Sequence, residues 1–223
     1  PLTVCCVFVR GEYPYTAEYV ARLRAMAARW LTAPFRFVCL TDQPELMPVG
    51  VEPVVIQKLA GFAYWSKLEL FNPARAWSGR VLYLDLDSLV VSSLDRIVDL
   101  PVRFGLIDDG PGVGRKVRTR DAFGRLIVRR FNSSVMVWDG GTQTELYTEW
   151  TPDVTQRLSG DQDWIGERSA DAVALPAAWF PRLSQVEAGP PWSRDVAVIL
   201  SKHPKNAIAA EQFPWFGRLW GAA

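Results

Sequence analysis

An α/β fold, with one mostly parallel, Rossmann-like sheet flanked by helices and a smaller mixed region carrying a β-hairpin, is what these 223 residues predict. Three observations carry that prediction. The chain opens on a continuous apolar run, "LTVCCVFV", of the kind seen in parallel strands covered on both faces. Runs of this type then alternate with stretches whose apolar residues recur at helical spacing, the pattern of βα units joined by right-handed crossovers. The length also suits a single domain of that class, without internal repeats or a dividing linker.

The elements follow in order. After the opening strand, "TAEYVARLRAMAARWL" places Val20, Leu23, Ala27, Trp30 and Leu31 at helical spacing, with Thr16 positioned to cap the start and Pro34 following the end. "FRFVCLTD" and "VEPVVI" return to strand, and "YWSKLELFNP" predicts a helix stopped by Asn72-Pro73. "VLYLDLD" is the next strand, and a short helix capped by Ser92 or Ser93 leads to the strand "RFGLIDD". From Arg115 the pattern predicts a hairpin turning at "DAFG" and a strand ending at Asp139. A helix around "TQTELYTEW", the polar "GDQDWI", a strand in "VALPAAWF" and "VAVIL" complete the walk.

Composition narrows the function classes. Hydrophobic residues make up 49% of the chain, charged residues 22%, and the net charge is +1, which excludes a disordered chain and gives no reason to expect nucleic acid as a partner. No apolar run is long enough to cross a bilayer, the start lacks the features of a signal peptide, and Pro1 fits removal of an initiator methionine, so a cytoplasmic location is expected. The three cysteines, Cys5, Cys6 and Cys39, fall inside apolar strands and read as buried free thiols.

Asp85 and Asp87 end an otherwise apolar run. Carboxylates beside a buried strand are costly unless paired or coordinated. In α/β sheets ligands bind beyond the carboxyl ends of strands, and residues two apart on a strand share a face, so both carboxylates are expected to reach one site. Hard oxygen donors suit Mn²⁺ or Mg²⁺. Capping of the next element or pairing with arginines would equally explain them.

Several separated stretches together resemble one family, the metal-dependent GT-A glycosyltransferases, and within it the glycogenin-like branch called family eight with its small bacterial relatives. They are "GEYPYTAEYVARL", "FRFVCLTD", "AYWSKLELF", "GRVLYLDLDSLVV", "FNSSVMVWD" and "GDQDWI", in the family's order. The resemblance implies a transferase that moves a sugar from a nucleoside-diphosphate sugar, UDP-linked, to a hydroxyl of a glycan or lipid-linked acceptor, with retention. It implies a nucleotide-binding half over residues 1–110 and an acceptor-side half over 111–223. Asp85 and Asp87 match the D-x-D that binds the metal, the first also approaching the sugar or ribose. Tyr13 matches an aromatic residue stacked on the uracil, with Val9 near the base, and Lys67 matches a basic position reaching the donor sugar or diphosphate. Asn132 matches an asparagine close to the transferred sugar, with Ser133 beside it, and Asp161 and Gln162 match the D-Q pair near the anomeric carbon.

The C-terminal motif departs from the family pattern. Relatives carry a histidine ligand, then a glycine and a basic, proline-containing stretch; here the text is "VILSKHPKNAI". An ungapped alignment would put Ser201 at the histidine position, whereas His203, the chain's one histidine, is taken as the third metal ligand and Lys202 or Lys205 as a phosphate contact.

Other features have bland and functional readings. Trp65 and Trp164 are candidates for stacking on a sugar ring, against core packing. The ending "FPWFGRLW" is expected to pack back on the domain, with a peripheral contact at the inner membrane face as the alternative. The basic hairpin with Arg118, Arg120 and Arg125 is a solvated loop or a flap for an anionic acceptor. Competing functions are a haloacid-dehalogenase-type phosphatase, a sugar nucleotidyltransferase and a catalytically silent sugar-nucleotide-binding protein. The phosphatase places its D-x-D on the leading strand, and "VRGEYPYT" lacks the glycine-rich loop of the nucleotidyltransferases.

Overall fold

The structure, a computed structural model, describes residues 1–11, 15–59, 62–75, 77–109, 118–120, 126–128, 131–201 and 205–222, leaving aside the side chains of 63, 118–120, 126–128 and 205. Strand β1 (Leu2–Phe8) is followed by α1 (Ala17–Trp30), β2 (Phe35–Thr41), β3 (Glu52–Val55) and β4 (Arg80–Leu84). Next come β5 (Ser88–Val90), α2 (Asp95–Val98), β6 (Phe104–Asp108), β7 (Arg118–Arg120), β8 (Leu126–Val128) and β9 (Phe131–Asp139). Helices α3 (Glu145–Thr148), α4 (Val154–Arg157) and α5 (Asp161–Arg168), strands β10 (Val173–Leu175) and β11 (Val198–Leu200), and helices α6 (Lys205–Gln212) and α7 (Pro214–Gly221) complete the order.

The main sheet runs β10-β6-β9-β4-β1-β2-β3. β1, β2, β3 and β4 are parallel, β10 is parallel to β6, and β9 lies antiparallel between β6 and β4. β11 pairs antiparallel with β5, and β7 with β8 as the expected hairpin, whose turn lies outside the described residues.

Alternation along the strands divides the core between two faces. Val4, Cys6, Leu82 and Leu84 pack on one side with Val20 and Leu23 of α1. Cys5, Val81 and Tyr83 point the other way, onto Leu68, Leu70, Phe71 and Trp164. All three cysteines are buried and free, as expected. Gly79 turns the chain into β4 at φ +72°, where a Cβ would meet the Pro1 carbonyl oxygen at 2.1 Å.

Several local expectations change. The segment Ala63–Phe71 is a 3₁₀ helix, because residues 65–71 are buried all round and tertiary partners take its polar groups: the Leu70 carbonyl accepts the Trp77 indole N–H, and Glu69 reaches the loop at 57–59. Thr16 stands at the α1 N-cap but makes no side-chain capping bond. Leu94 occupies the cap position of α2, yet the Ser93 hydroxyl accepts the Asp95 N–H at 3.1 Å, while the Ser92 hydroxyl donates to the Val196 carbonyl. The strand in "VALPAAWF" ends at Leu175, before Pro176. "GDQDWI", read only as polar, begins α5.

The aromatic ending packs back on the domain. Trp215, Phe216 and Trp220 are buried, and Arg22 of α1 both stacks over the Trp220 ring at 4.2 Å and donates to its carbonyl at 2.6 Å. Among the described residues no helix is long and apolar enough to cross a membrane.

Candidate active site

Because β1 and β4 are parallel neighbours with Cys5 beside Tyr83, Val9 and Asp85 emerge at the same carboxyl edge of the sheet. Here the D-x-D geometry differs from a simple strand end. The Asp85 N–H donates to the Ser134 carbonyl at 2.9 Å and the Ser88 N–H to the Asp85 carbonyl at 3.1 Å, so residues 85–88 turn from β4 into β5. Asp85 therefore keeps the face of Tyr83, whereas Asp87 sits on the turn; pairing geometry, not the period of a strand, sets their relation.

β9 supplies the opposite wall. Its register against β6 slips: Leu106 pairs with Met136 but Ile107 pairs with Asn132, so residues 133–135 bulge out of that ladder. Val135 nevertheless stays paired with Leu84 of β4, which carries Ser133 and Ser134 alongside Asp85. α5 begins at Asp161, where a carboxylate is favoured by the helix dipole.

Lys67, from the 3₁₀ helix, joins these elements. Its ammonium lies 3.0 Å from Oδ2 of Asp161 and 3.1 Å from Oδ1 of Asp85, and 3.2 Å from the Ser133 hydroxyl oxygen, which itself donates to Asp161 Oδ2 at 3.0 Å. All three ammonium protons thus have acceptors within the protein. Burial, the largest influence on Lys67, works against its charge, but Asp161 and Asp85 outweigh it and hold its pKa above the ordinary lysine value. The expected reach of Lys67 to a diphosphate would require it to leave one of these partners.

Two tyrosines address the aspartates. The Tyr83 hydroxyl donates to Asp85 Oδ1 at 2.5 Å, and burial followed by the Asp85 charge raises its pKa well above normal. Tyr15 is hydrogen-bonded to Asp87; burial, then Asp87 and Asp85, raise its pKa as well. The hydroxyl of neighbouring Tyr19 accepts the Ala207 N–H and feels the Asp87 charge, which brings the start of α6 to the Asp87 side of the site. Neither Tyr83 nor Tyr15 was singled out from the sequence, although the period of two along β4 already puts Tyr83 on the face of Asp85.

The remaining candidates divide. Asn132 is buried and its Oδ1 accepts the Ser134 N–H at 2.8 Å, so it braces the bulge. Gln162 is half-buried and its side chain bonds none of the described residues. Trp65 and Trp164 are core residues: Trp65 packs on Trp150, Trp164 donates its indole N–H to the Leu146 carbonyl, and neither is open to a sugar ring. Tyr13, Lys202, His203 and the side chain of Lys205 lie outside the described residues, as do the side chains of Arg118, Arg120 and Arg125.

A divalent cation fits the donor chemistry present. Among the described residues no hydrogen bond falls on Oδ2 of Asp85, whose Oδ1 takes the Tyr83 hydroxyl and pairs with Lys67, so a hard oxygen is left for an ion. No group of three potential metal-binding side chains occurs among the described residues. Two carboxylates with a substrate's phosphates are a known pattern for such ions.

No protein-family model and no curated protein matches the sequence. Solved structures do. The galactosyltransferase LgtC, in complex with donor and acceptor sugar analogues, superposes over 99% of this chain and 95% of its own at TM-score 0.68 and 17% identity. An LgtC active-site mutant in which glutamate replaces a glutamine gives TM-score 0.69 at 16% identity, over 99% of this chain and 95% of its own. The glycosyltransferase GlyE of Streptococcus pneumoniae TIGR4 matches at TM-score 0.58 and 13% identity, over 100% of this chain and 63% of its own. The chain has the GT-A fold of these glycosyltransferases, at identities that establish the fold alone.

Proposed function

We propose that this chain is a metal-dependent glycosyltransferase that moves a sugar from a UDP-linked donor to a hydroxyl of a glycan or lipid-linked acceptor with retention of configuration. One observation carries the reading: on this fold, Asp85, Ser133 and Asp161, from three separate elements, converge around the Lys67 ammonium at the carboxyl edge of the sheet. Structural packing alone gives no reason to gather two carboxylates and a lysine there.

Roles follow from position. Asp85 and Asp87 hold a Mn²⁺ or Mg²⁺ ion, with His203 as the third ligand on the family resemblance. When bound, the ion supplies Lewis-acid stabilisation of the departing diphosphate. Val9 and Tyr13 face the base, and Lys202 or Lys205 contacts phosphate. Asp161 and Gln162, with Asn132 and Ser133 behind them, hold the sugar hydroxyls near the anomeric carbon, on the family resemblance. Lys67 holds Asp85 and Asp161 in register, so the charged groups of the site are in place before the donor arrives, as electrostatic preorganisation requires.

Thermal unfolding with UDP, a panel of nucleotide sugars, Mn²⁺ and EDTA tests this. A ligand at one hundred times its Kd adds about 2.7 kcal/mol, roughly 5–10 °C for a chain of this size. Stabilisation by UDP or a UDP-sugar is expected to need the ion and to vanish in Asp87→Ala. Stabilisation indifferent to EDTA counts against the metal, and none from any nucleotide sugar counts against the donor. The anomeric configuration of the product, read by NMR, decides retention.

A further inference from the structure

We infer that Tyr83 is a positioning residue for Asp85: its hydroxyl and the Lys67 ammonium both engage Oδ1, so that Oδ2 is the oxygen Asp85 turns toward a bound divalent cation. The inference rests on the reading of this edge as the donor site. Both bonds fall on one oxygen, 2.5 Å from Tyr83 and 3.1 Å from Lys67, and among the described residues none falls on the other.

Tyr83 is placed to do this and little else with its polar atom. It is 2% exposed and held on β4 between Cys5 and Met136 of the flanking strands, so its ring cannot swing away. Lys67 lies over the same ring, 5.0 Å from its centre, so the two partners of the carboxylate also touch each other. The buried phenol stays neutral beside Asp85 and acts as a donor. Without that hydroxyl, Lys67 alone would hold the carboxylate. Its plane would then turn about χ2 at little cost, and the direction in which it offers an oxygen to the ion would no longer be fixed. Tyr83 acts through Asp85 and touches no substrate.

The test is a Mn²⁺ titration in the presence of UDP, following free Mn²⁺ by electron paramagnetic resonance, on wild type and Tyr83→Phe. Removing an outer partner of a metal ligand is expected to weaken Mn²⁺ by about tenfold or more, with the melting temperature of the unliganded protein changed by only about a few degrees. Binding within about twofold of wild type overturns the inference while leaving the donor-site reading intact. Failure of wild type itself to bind Mn²⁺ with UDP overturns both. A 3-fluorotyrosine at position 83 keeps a stronger-donating hydroxyl and should bind at least as tightly as wild type. Loss of affinity there overturns the inference even if the phenylalanine variant fails to fold.

Discussion

The Lys67 ammonium stands 3.0 Å from Oδ2 of Asp161 and ties the 3₁₀ helix to the first turn of α5 across the edge of the sheet. Both side chains are about nine-tenths buried, at 9% and 10% exposure, so this is a desolvated pair and not a surface one.

Removing the cation should therefore be costly. Lys67→Met leaves Asp85 and Asp161 facing each other without compensation, and unfolding in urea should show a loss of about 3–5 kcal/mol, the usual cost of breaking a buried pair. A loss below about 1 kcal/mol, typical of exposed pairs, would mean that water reaches the cluster.

Alkaline pH should weaken the fold through the same cluster. The native pKa values of Lys67, Tyr83 and Tyr15 all lie above their ordinary values. The unfolded chain thus releases these protons first, near pH 10 for tyrosine and 10.4 for lysine. Their contribution is complete below roughly pH 9.5 and falls as pH rises further toward the native values. Urea midpoints measured from pH 8 to 11 should be flat and then decline, less steeply in Lys67→Met; an equal decline in that variant would remove Lys67 from the account.

Asp161 and Gln162 should separate by stability. Asp161 accepts from Lys67 and Ser133, so Asp161→Ala should lower both kcat and the melting temperature. Gln162 bonds none of the described residues, so Gln162→Ala should lower kcat by about 10²–10³ with an unchanged melting temperature. A matching stability loss in both variants would assign Gln162 to the scaffold.

Glu69 should prove essential to the fold. It is fully buried; Oε1 accepts the N–H groups of Gln57, Lys58 and Leu59, and Oε2 pairs with Arg75 at 2.5 Å. Glu69→Ala orphans those donors at about 1–3 kcal/mol each, and calorimetry should show a fall of roughly 10 °C or more. A fall of only about 2 °C would show that the loop at 57–59 rearranges to find other partners.

The anchor of α7 is similarly testable. Trp220 packs on Tyr19 at 5.1 Å and under Arg22. Trp220→Ala should cost about 3–5 kcal/mol and expose the C-terminus to protease, whereas unchanged cleavage would mean α7 stays docked through Trp215 and Phe216.

The sequence by itself determined the strand and helix alternation, because burial on both faces leaves a continuous apolar run such as residues 2–8 and a helix in contact with the sheet on one side leaves the spacing of Val20, Leu23 and Ala27. It also marked Asp85 and Asp87, since carboxylates at the end of a buried strand demand a reason, while Asn132 and Asp161 were marked only by the family resemblance. Only the tertiary structure decided what those residues do to one another. Lys67 and Asp161 are far apart in the chain, and no local pattern encodes that pairing; the slipped β9 register and the turn at 85–88 bring the groups within hydrogen-bonding distance. The 3₁₀ form of 63–71 and the core placement of Trp164 were settled in the same way, by long-range partners that outweigh local propensity.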